Sequence, residues 1–257
     1  MILVAEDQPV FQQLYALILD KLGYPYIMAV DGKEALEKAQ KHKPALIFMD
    51  IEMPVMNGYE SAEELRKSGF ENPIIAVTAN ETLDEEQSKK AGISDLLVKP
   101  IKPIEVEKVL LKWLEGDTSE VVSGTSEVVC EQEAEVEEKS SAQKEIFDSD
   151  YMLHTFMNNE TLALSLLSRF ITRTQDQMES LQKIEKDENW ESGRQIAHML
   201  KGAANTMGAA ELGKAAARME KACTELNKSE FEAAFPPLQN SFELFKKAAE
   251  NFITSRS

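Results

Sequence analysis

The sequence predicts two folds in series: an α/β doubly wound five-stranded parallel sheet, then an all-α bundle of the four-helix type. Three observations carry this. Residues 1–115 alternate five short apolar runs with five helical patterns, as expected of strands each followed by a crossover helix. From Phe147 onward the apolar residues recur at helical spacing alone. Between the two, residues 116–145 are acidic and poor in apolar surface, too poor to offset the entropy of ordering. The expected division is a sheet domain over 1–115, a flexible acidic linker over 116–145 and a helical domain over 146–257.

In the first domain the strands are expected at Ile2–Ala5, Tyr26–Val30, Ala45–Met49, Ile74–Thr78 and Asp95–Val98. They are apolar without alternation, the mark of strands covered on both faces. Helices are expected over Pro9–Leu22, Lys33–Lys41, Tyr59–Lys67, Leu83–Lys90 and Ile104–Leu114. In the linker, Thr118-Ser119-Glu120-Val121-Val122 recurs as Thr125-Ser126-Glu127-Val128-Val129, and a glutamate run follows. In the second domain a helix is expected over about Leu162–Ile184, with Leu167, Phe170, Ile171, Met178 and Leu181 on one buried face. Further helices are expected near Asn189–Met207, Ala210–Asn227 and Phe231–Ile253. The last contains Pro236-Pro237, which predicts a break or kink.

Ligand sites in sheets of this class lie at the carboxyl ends of the strands. Glu6 and Asp7 follow the first strand, Asp50 the third, Thr78 ends the fourth and Lys99 follows the fifth. Three carboxylates in one pocket repel unless a cation offsets them, and an oxygen-only donor set favours Mg²⁺. A carboxylate can attack phosphorus to give an acyl phosphate, and the Thr78 hydroxyl and Lys99 ammonium are the fixed donors such a transfer needs. Any one of these residues alone is more simply a helix cap or a solvated loop residue. Their occurrence in this order is what singles them out.

Residues 1–115 resemble the receiver domain of two-component response regulators. The resemblance rests on Ile2-Leu3-Val4-Ala5-Glu6-Asp7, Met49-Asp50-Ile51-Glu52-Met53-Pro54-Val55-Met56-Asn57-Gly58, Val77-Thr78-Ala79 and Val98-Lys99-Pro100-Ile101. It implies that Asp50 is the phosphoacceptor. It also implies that Glu6, Asp7 and Asp50, with the backbone carbonyl of Glu52, hold Mg²⁺. Thr78 and Lys99 would then bind phosphoryl oxygens, and the Lys99–Pro100 bond would be cis. The chain departs from the pattern at Leu96, where receivers commonly carry an aromatic switch residue, so a role as phosphoryl station is favoured over a conformational output. Glu52 and Asn80 stand beside the pocket and bear on the lifetime of a phosphoryl group there.

In the second domain a 100° wheel places Arg194, Gln195, His198, Lys201, Gly202 and Asn205 on one face, opposite Ile196, Leu200, Ala203 and Met207. His198 is thus expected on the exposed side as an imidazole nucleophile. Lys201 at i+3 is placed to steady a phosphoryl group, and Gly202 leaves room for a docking partner. Met199, Met207 and Met219 are expected to pack the bundle. A lone helical histidine is ordinarily a surface residue, and His42 and His154 are read as such. The run Ala197-His198-Met199-Leu200-Lys201-Gly202-Ala203-Ala204 with Gly208-Ala209 is different. It resembles the histidine phosphotransfer (HPt) domain, a four-helix bundle with one phosphorylatable histidine, and the likeness extends over about 147–255.

Composition narrows the remaining classes. The net charge is −17, from 45 acids and 28 bases. Residues 117–145 alone hold 9 acids and 2 bases. No basic stripe is present, which argues against nucleic acid. Cys130 and Cys223 form neither a disulfide framework nor a metal-ligand spacing. No apolar run reaches the ~18 residues of a membrane helix, so a cytoplasmic setting is expected. Met1 runs directly into a strand, as a fragment of a longer chain would.

The expected function is Mg²⁺-dependent phosphoryl acceptance at Asp50 and histidine-to-aspartate phosphotransfer through His198. The partners would be a sensor histidine kinase and a further receiver. No glycine-rich phosphate loop is present, so the chain is read as a phosphoryl carrier without a kinase module. It is either the C-terminal part of a hybrid kinase or a free-standing intermediate. A linker of about 30 residues spans roughly 30 Å, which permits Asp50-to-His198 transfer within one chain without requiring it. Two alternatives stand beside this: a non-catalytic scaffold, and an Asp-nucleophile phosphatase, which would need an aspartate where Glu52 stands and a nucleophile after the first strand.

Overall fold

A computed structural model of the chain describes residues 1–79, 85–116, 144–187 and 189–256. The expected linker falls almost wholly outside these residues, as do Asn80 and Cys130. The described residues form two compact units, one within Met1–Ser119 and one within Glu120–Ser257.

In the first unit, β1 (Ile2–Ala5), β2 (Tyr26–Ala29), β3 (Leu46–Asp50), β4 (Ile74–Thr78) and β5 (Asp95–Val98) form a parallel sheet in the order β2-β1-β3-β4-β5. Side chains alternate between faces at period two. Leu3, Ala5, Ile47 and Met49 pack with Ala35, Ala39, Ala62 and Leu65 from α2 (Gly32–His42) and α3 (Gly58–Lys67). On the other face Phe48 meets Tyr15 of α1 (Pro9–Leu22), their rings 5.1 Å apart. Both faces are therefore dry, which is why the strands lack polar alternation.

Local chemistry sets the helix ends. Pro9 opens α1, and Gly23 closes it in the left-handed region at φ 76°. Asp31 caps α2 by accepting from the Glu34 N–H. Asn57 and Glu60 form a capping box on α3. Gly58 is obligatory for a steric reason, since a Cβ there would sit 2.2 Å from the Asp50 carbonyl oxygen. That close approach folds the loop 51–57 tightly beside Asp50. The remaining helices are α4 (Glu85–Ala91) and α5 (Pro103–Leu110), and α5 runs on as a π-helical turn over Leu111–Gly116. That turn is tied back to β5, where Asp95 Oδ2 accepts from Lys112 Nζ at 2.7 Å and Trp113 Nε1 at 3.0 Å.

The second unit comprises a short α6 (Ser149–Thr155) and four longer helices: α7 (Glu160–Asp187), α8 (Trp190–Thr206), α9 (Ala210–Thr224) and α10 (Lys228–Arg256). α8 packs on α7 and α9, and α10 on α9 and α7, closing a four-helix ring. Leu167, Phe170, Ile171, Met178 and Leu181 are buried in α7, as its periodicity predicts. His42 and His154 are exposed.

Two expectations are corrected here. Of the break or kink expected at Pro236-Pro237, the break is absent: the last helix runs unbroken from Lys228 to Arg256. Phe231 and Ala234 before the prolines, and Leu238, Phe242 and Phe245 after them, are all buried. Packing on both sides of the missing N–H groups outweighs a cost of about 3 kcal/mol per interior proline. Met199 is only half-buried, its Sδ 3.7 Å from Arg173 Nη2, whereas Met207 and Met219 are in the core.

Candidate phosphoryl sites

The first site is assembled at the carboxyl edge of the sheet. Carboxylate oxygens of Glu6, Asp7 and Asp50 lie within 4.8 Å of one another. Lys99, whose side chain is 3% exposed, reaches in from the end of β5 and forms ion pairs with Asp50 Oδ2 at 2.6 Å and Glu6 Oε2 at 2.9 Å. The Glu52 N–H donates to Asp50 Oδ1 at 3.1 Å. Thr78 is buried beside them, and its carbonyl accepts from the Lys99 N–H at 2.7 Å. The Lys99–Pro100 peptide is cis. The structure thus gathers Glu6, Asp7, Asp50, Thr78 and Lys99 from four strand ends. The Glu52 carboxylate is not one of the three clustered acids, and Glu52 meets Asp50 through its backbone.

The electrostatics of this pocket are unbalanced. Burial pushes the Glu6 carboxyl well above its ordinary range. Lys99 opposes that shift, and the Asp50 and Asp7 charges add to it. For Lys99, burial works against the ammonium, yet Asp50 and then Glu6 raise its pKa above the usual lysine value. The consistent state is a firmly protonated Lys99 beside a Glu6 carboxyl that resists ionisation. Three carboxylates cluster around a single ammonium that pairs with two of them, and every candidate donor is a hard oxygen. That set fits a divalent cation of the Mg²⁺ kind, held by Glu6, Asp7 and Asp50.

The second site lies on α8. Asn189 caps this helix by accepting from the Ser192 N–H. His198 is not open to solvent as the wheel predicts: it is 5% exposed. The buried arc of α8 runs through Gly193, Ala197, Leu200 and Ala204, and it extends to His198 and Gly202. Small residues count for little in a hydrophobic wheel, yet they let α9 approach closely, which widens the buried arc. Asn205 of α8 fits into the notch left by Gly213 of α9, where a Cβ would stand 2.1 Å from its Oδ1.

From α9, Glu220 bridges the site. Its Oε1 is 2.7 Å from His198 Nδ1 and its Oε2 is 2.7 Å from Lys201 Nζ. Burial works to raise the Glu220 pKa, but hydrogen bonds from His198 and Lys201 outweigh it and hold the carboxyl below its ordinary range. No motif announces Glu220. Its one trace in the sequence is an acid set among Ala216, Met219 and Cys223, all of which face the core. With Glu220 ionised, the Nδ1–H of His198 donates to its Oε1, which fixes the orientation of the ring.

The response regulator receiver domain model matches residues 2–111, and the Hpt domain model matches residues 165–251. The alkaline phosphatase synthesis transcriptional regulatory protein PhoP of Bacillus subtilis is 35% identical over 131 residues, 49% of this chain and 52% of that protein. The sensor histidine kinase RcsC of Escherichia coli is 34% identical over 116 residues, 45% of this chain and 12% of that protein. The chain thus spans about half, or much less, of the length of these relatives. Among solved structures, the receiver domain of a sensor histidine kinase from Pseudomonas aeruginosa, described with a magnesium ion in its active-site cleft, is 38% identical. It covers 44% of this chain and 94% of that one, with a TM-score of 0.41. Among the described residues no helix is long and apolar enough to cross a membrane. With a strand-end aspartate in the first unit and a helical histidine in the second, the chain carries a response regulator receiver domain followed by an Hpt domain, a pairing that supports a phosphorelay signalling role.

Proposed function

We propose that the chain is a phosphoryl carrier in which Asp50 accepts a phosphoryl group and His198 exchanges one with a receiver aspartate. The observation that carries the reading is the Asp50 carboxylate held 2.6 Å from a buried ammonium, with two further carboxylates beside it. Residues 1–115 would supply the receiver, 116–145 the linker and 146–257 the histidine domain.

At the first site an Asp50 oxygen attacks phosphorus. The bond from phosphorus to the donor breaks as the bond to Asp50 forms, and the donor leaves as the free imidazole of a sensor histidine kinase. Lys99 and the Thr78 hydroxyl meet the charge on the transferring oxygens. Glu6, Asp7, Asp50 and the backbone carbonyl of Glu52 would hold Mg²⁺, which when bound offsets the negative charge of the acids and the phosphoryl group. At the second site the Nε2 lone pair of His198 attacks the phosphorus of an aspartyl phosphate on a receiver. Glu220 keeps the Nδ1 proton in place and offsets the positive charge the ring acquires. Lys201, one turn along the helix, would steady the incoming group. Histidine kinases draw on ATP, so this source of phosphoryl groups places the chain in the cytoplasm.

The test is Mg²⁺-dependent labelling with acetyl phosphate, followed over time in wild type, Asp50→Asn and His198→Gln. Acyl phosphate is base-labile, whereas phosphohistidine is acid-labile and base-stable. Label entering at Asp50 and then reaching His198, with Asp50→Asn removing both, identifies an internal relay. Label confined to Asp50 assigns the two domains to separate partners. A folded protein that takes label at neither residue overturns the reading in favour of a scaffold.

A further inference from the structure

Lys99 has a third neighbour besides its two acids. Its Nζ lies 4.2 Å from the centroid of the Phe11 ring, and Phe11 is completely buried. We propose that Phe11 is a positioning residue for the phosphoryl chemistry at Asp50, its ring holding the Lys99 ammonium between Glu6 and Asp50 through a cation–π contact. This inference rests on the reading of Asp50 as phosphoacceptor.

The placement follows from the sequence. Pro9 fixes the start of α1, so Phe11 falls in its first turn, at the end nearest the acid pocket. Leu14, Tyr15, Ile18 and Leu19 continue the same buried stripe down the helix. The simplest account of Phe11 is therefore that it is the first core residue of α1. Three features go further. Lys99 is almost wholly removed from water, where attraction between a cation and a ring face is strongest. The ammonium carries three N–H groups, and its two ion pairs go to Oε2 of Glu6 and Oδ2 of Asp50. The ring adds attraction on a further side without adding a hydrogen-bond acceptor as strong as a carboxylate.

That last property matters for transfer. As phosphorus bonds to Asp50, the charge Lys99 must meet moves from the carboxylate to the phosphoryl oxygens. A third acidic acceptor would hold the ammonium back. A ring face holds it in the pocket while leaving it free to turn. Leucine at this position fills most of the volume but has no quadrupole.

The experiment measures the rate of Mg²⁺-dependent labelling by acetyl phosphate in the full chain, for Phe11→Leu, Phe11→Tyr, Lys99→Met and the double variant Phe11→Leu/Lys99→Met. Asp50→Asn is the control. Phe11→Leu is expected to slow labelling about 5- to 10-fold and Phe11→Tyr to stay within about twofold of wild type. Adding Phe11→Leu to Lys99→Met should change the rate less than about twofold, because the partner is gone. An equal loss in both backgrounds makes Phe11 a packing residue only and overturns the proposal, as does a Phe11→Leu rate near wild type. If wild type takes no base-labile label that Asp50→Asn removes, the phosphoacceptor reading fails instead. The contact is then judged by the Lys99 Hε proton shifts, which also serve if Lys99→Met does not fold. An upfield ring-current displacement lost in Phe11→Leu supports the contact, and its absence in wild type overturns it.

Discussion

Around Asp50 three carboxylates cluster and two of them, Glu6 and Asp50, share one ammonium, whereas around His198 a single carboxylate is shared by an imidazole and an ammonium. The two sites also differ in how they are built. The first takes residues from the ends of β1, β3, β4 and β5, and Asp50 and Lys99 are 49 positions apart. The second takes His198 and Lys201 from one turn of α8 and only Glu220 from a neighbouring helix. A pocket short of positive charge works against its own fold until a cation arrives. A balanced one supports its fold, and its chemistry is expected to need no metal.

The largest effect is expected from replacing Asp50 or withdrawing divalent cations. Asp50→Asn, or chelation of Mg²⁺ with EDTA, is expected to reduce base-labile labelling by about 100-fold or more. A phosphoryl group already on His198 should survive the chelator, and time courses of acid-labile label measure both. Rapid loss of phosphohistidine in EDTA would show that the second site needs metal too.

Next in size is the carboxylate at the second site. Glu220→Ala should slow exchange between His198 and an added phosphorylated receiver by about tenfold, with Glu220→Gln retaining more. Quench-flow transfer assays in an Asp50→Asn background isolate this step. The pH sign follows from the lowered Glu220 pKa. The stability it contributes is fully present above the unfolded-state value and is lost as pH falls through the lower folded value. The Glu220→Ala defect should therefore persist from neutral pH down into the acid range.

Glu6 has the opposite sign. Its folded-state pKa is raised, so its ionisation opposes folding. The penalty is absent below the unfolded-state value, grows as pH rises and is complete above the folded-state value. Glu6→Gln should raise the melting temperature of the first unit by several degrees at neutral pH in EDTA, and the gain should vanish in acid or shrink with Mg²⁺. Thermal unfolding across pH tests this, and no gain at neutral pH in EDTA would contradict the charge imbalance.

The smallest effect concerns the loop beside Asp50. Val55 is 82% exposed and sits at φ 68°, a left-handed conformation that β-branched residues rarely adopt. Val55→Asn should stabilise the first unit by about 1 kcal/mol, measured by urea unfolding with an unchanged slope.

Much of this architecture was legible along the chain, for reasons that differ by region. The strands were plain because both sheet faces are dry, so Ile2–Ala5 and Ile74–Thr78 read as unbroken apolar runs. The acids and Lys99 were legible because strand ends converge in a parallel sheet. The α8 wheel placed His198 on an open face because it gave no weight to Gly193 and Ala197, the small residues through which helices approach. The Pro236-Pro237 break was expected from local stereochemistry, and the apolar residues on both sides overrode it.

By itself the sequence determined the fold classes and singled out Asp50 and His198, each with a lysine near it, since periodicity and strand-end position are local properties. Only the tertiary structure decided that one ammonium serves both Glu6 and Asp50, that Phe11 lies under it, and that Glu220 joins His198 to Lys201. These contacts join residues from 19 to 93 positions apart. Their geometry depends on how far a helix is rotated and how closely it packs, and no spacing within one helix or strand encodes that.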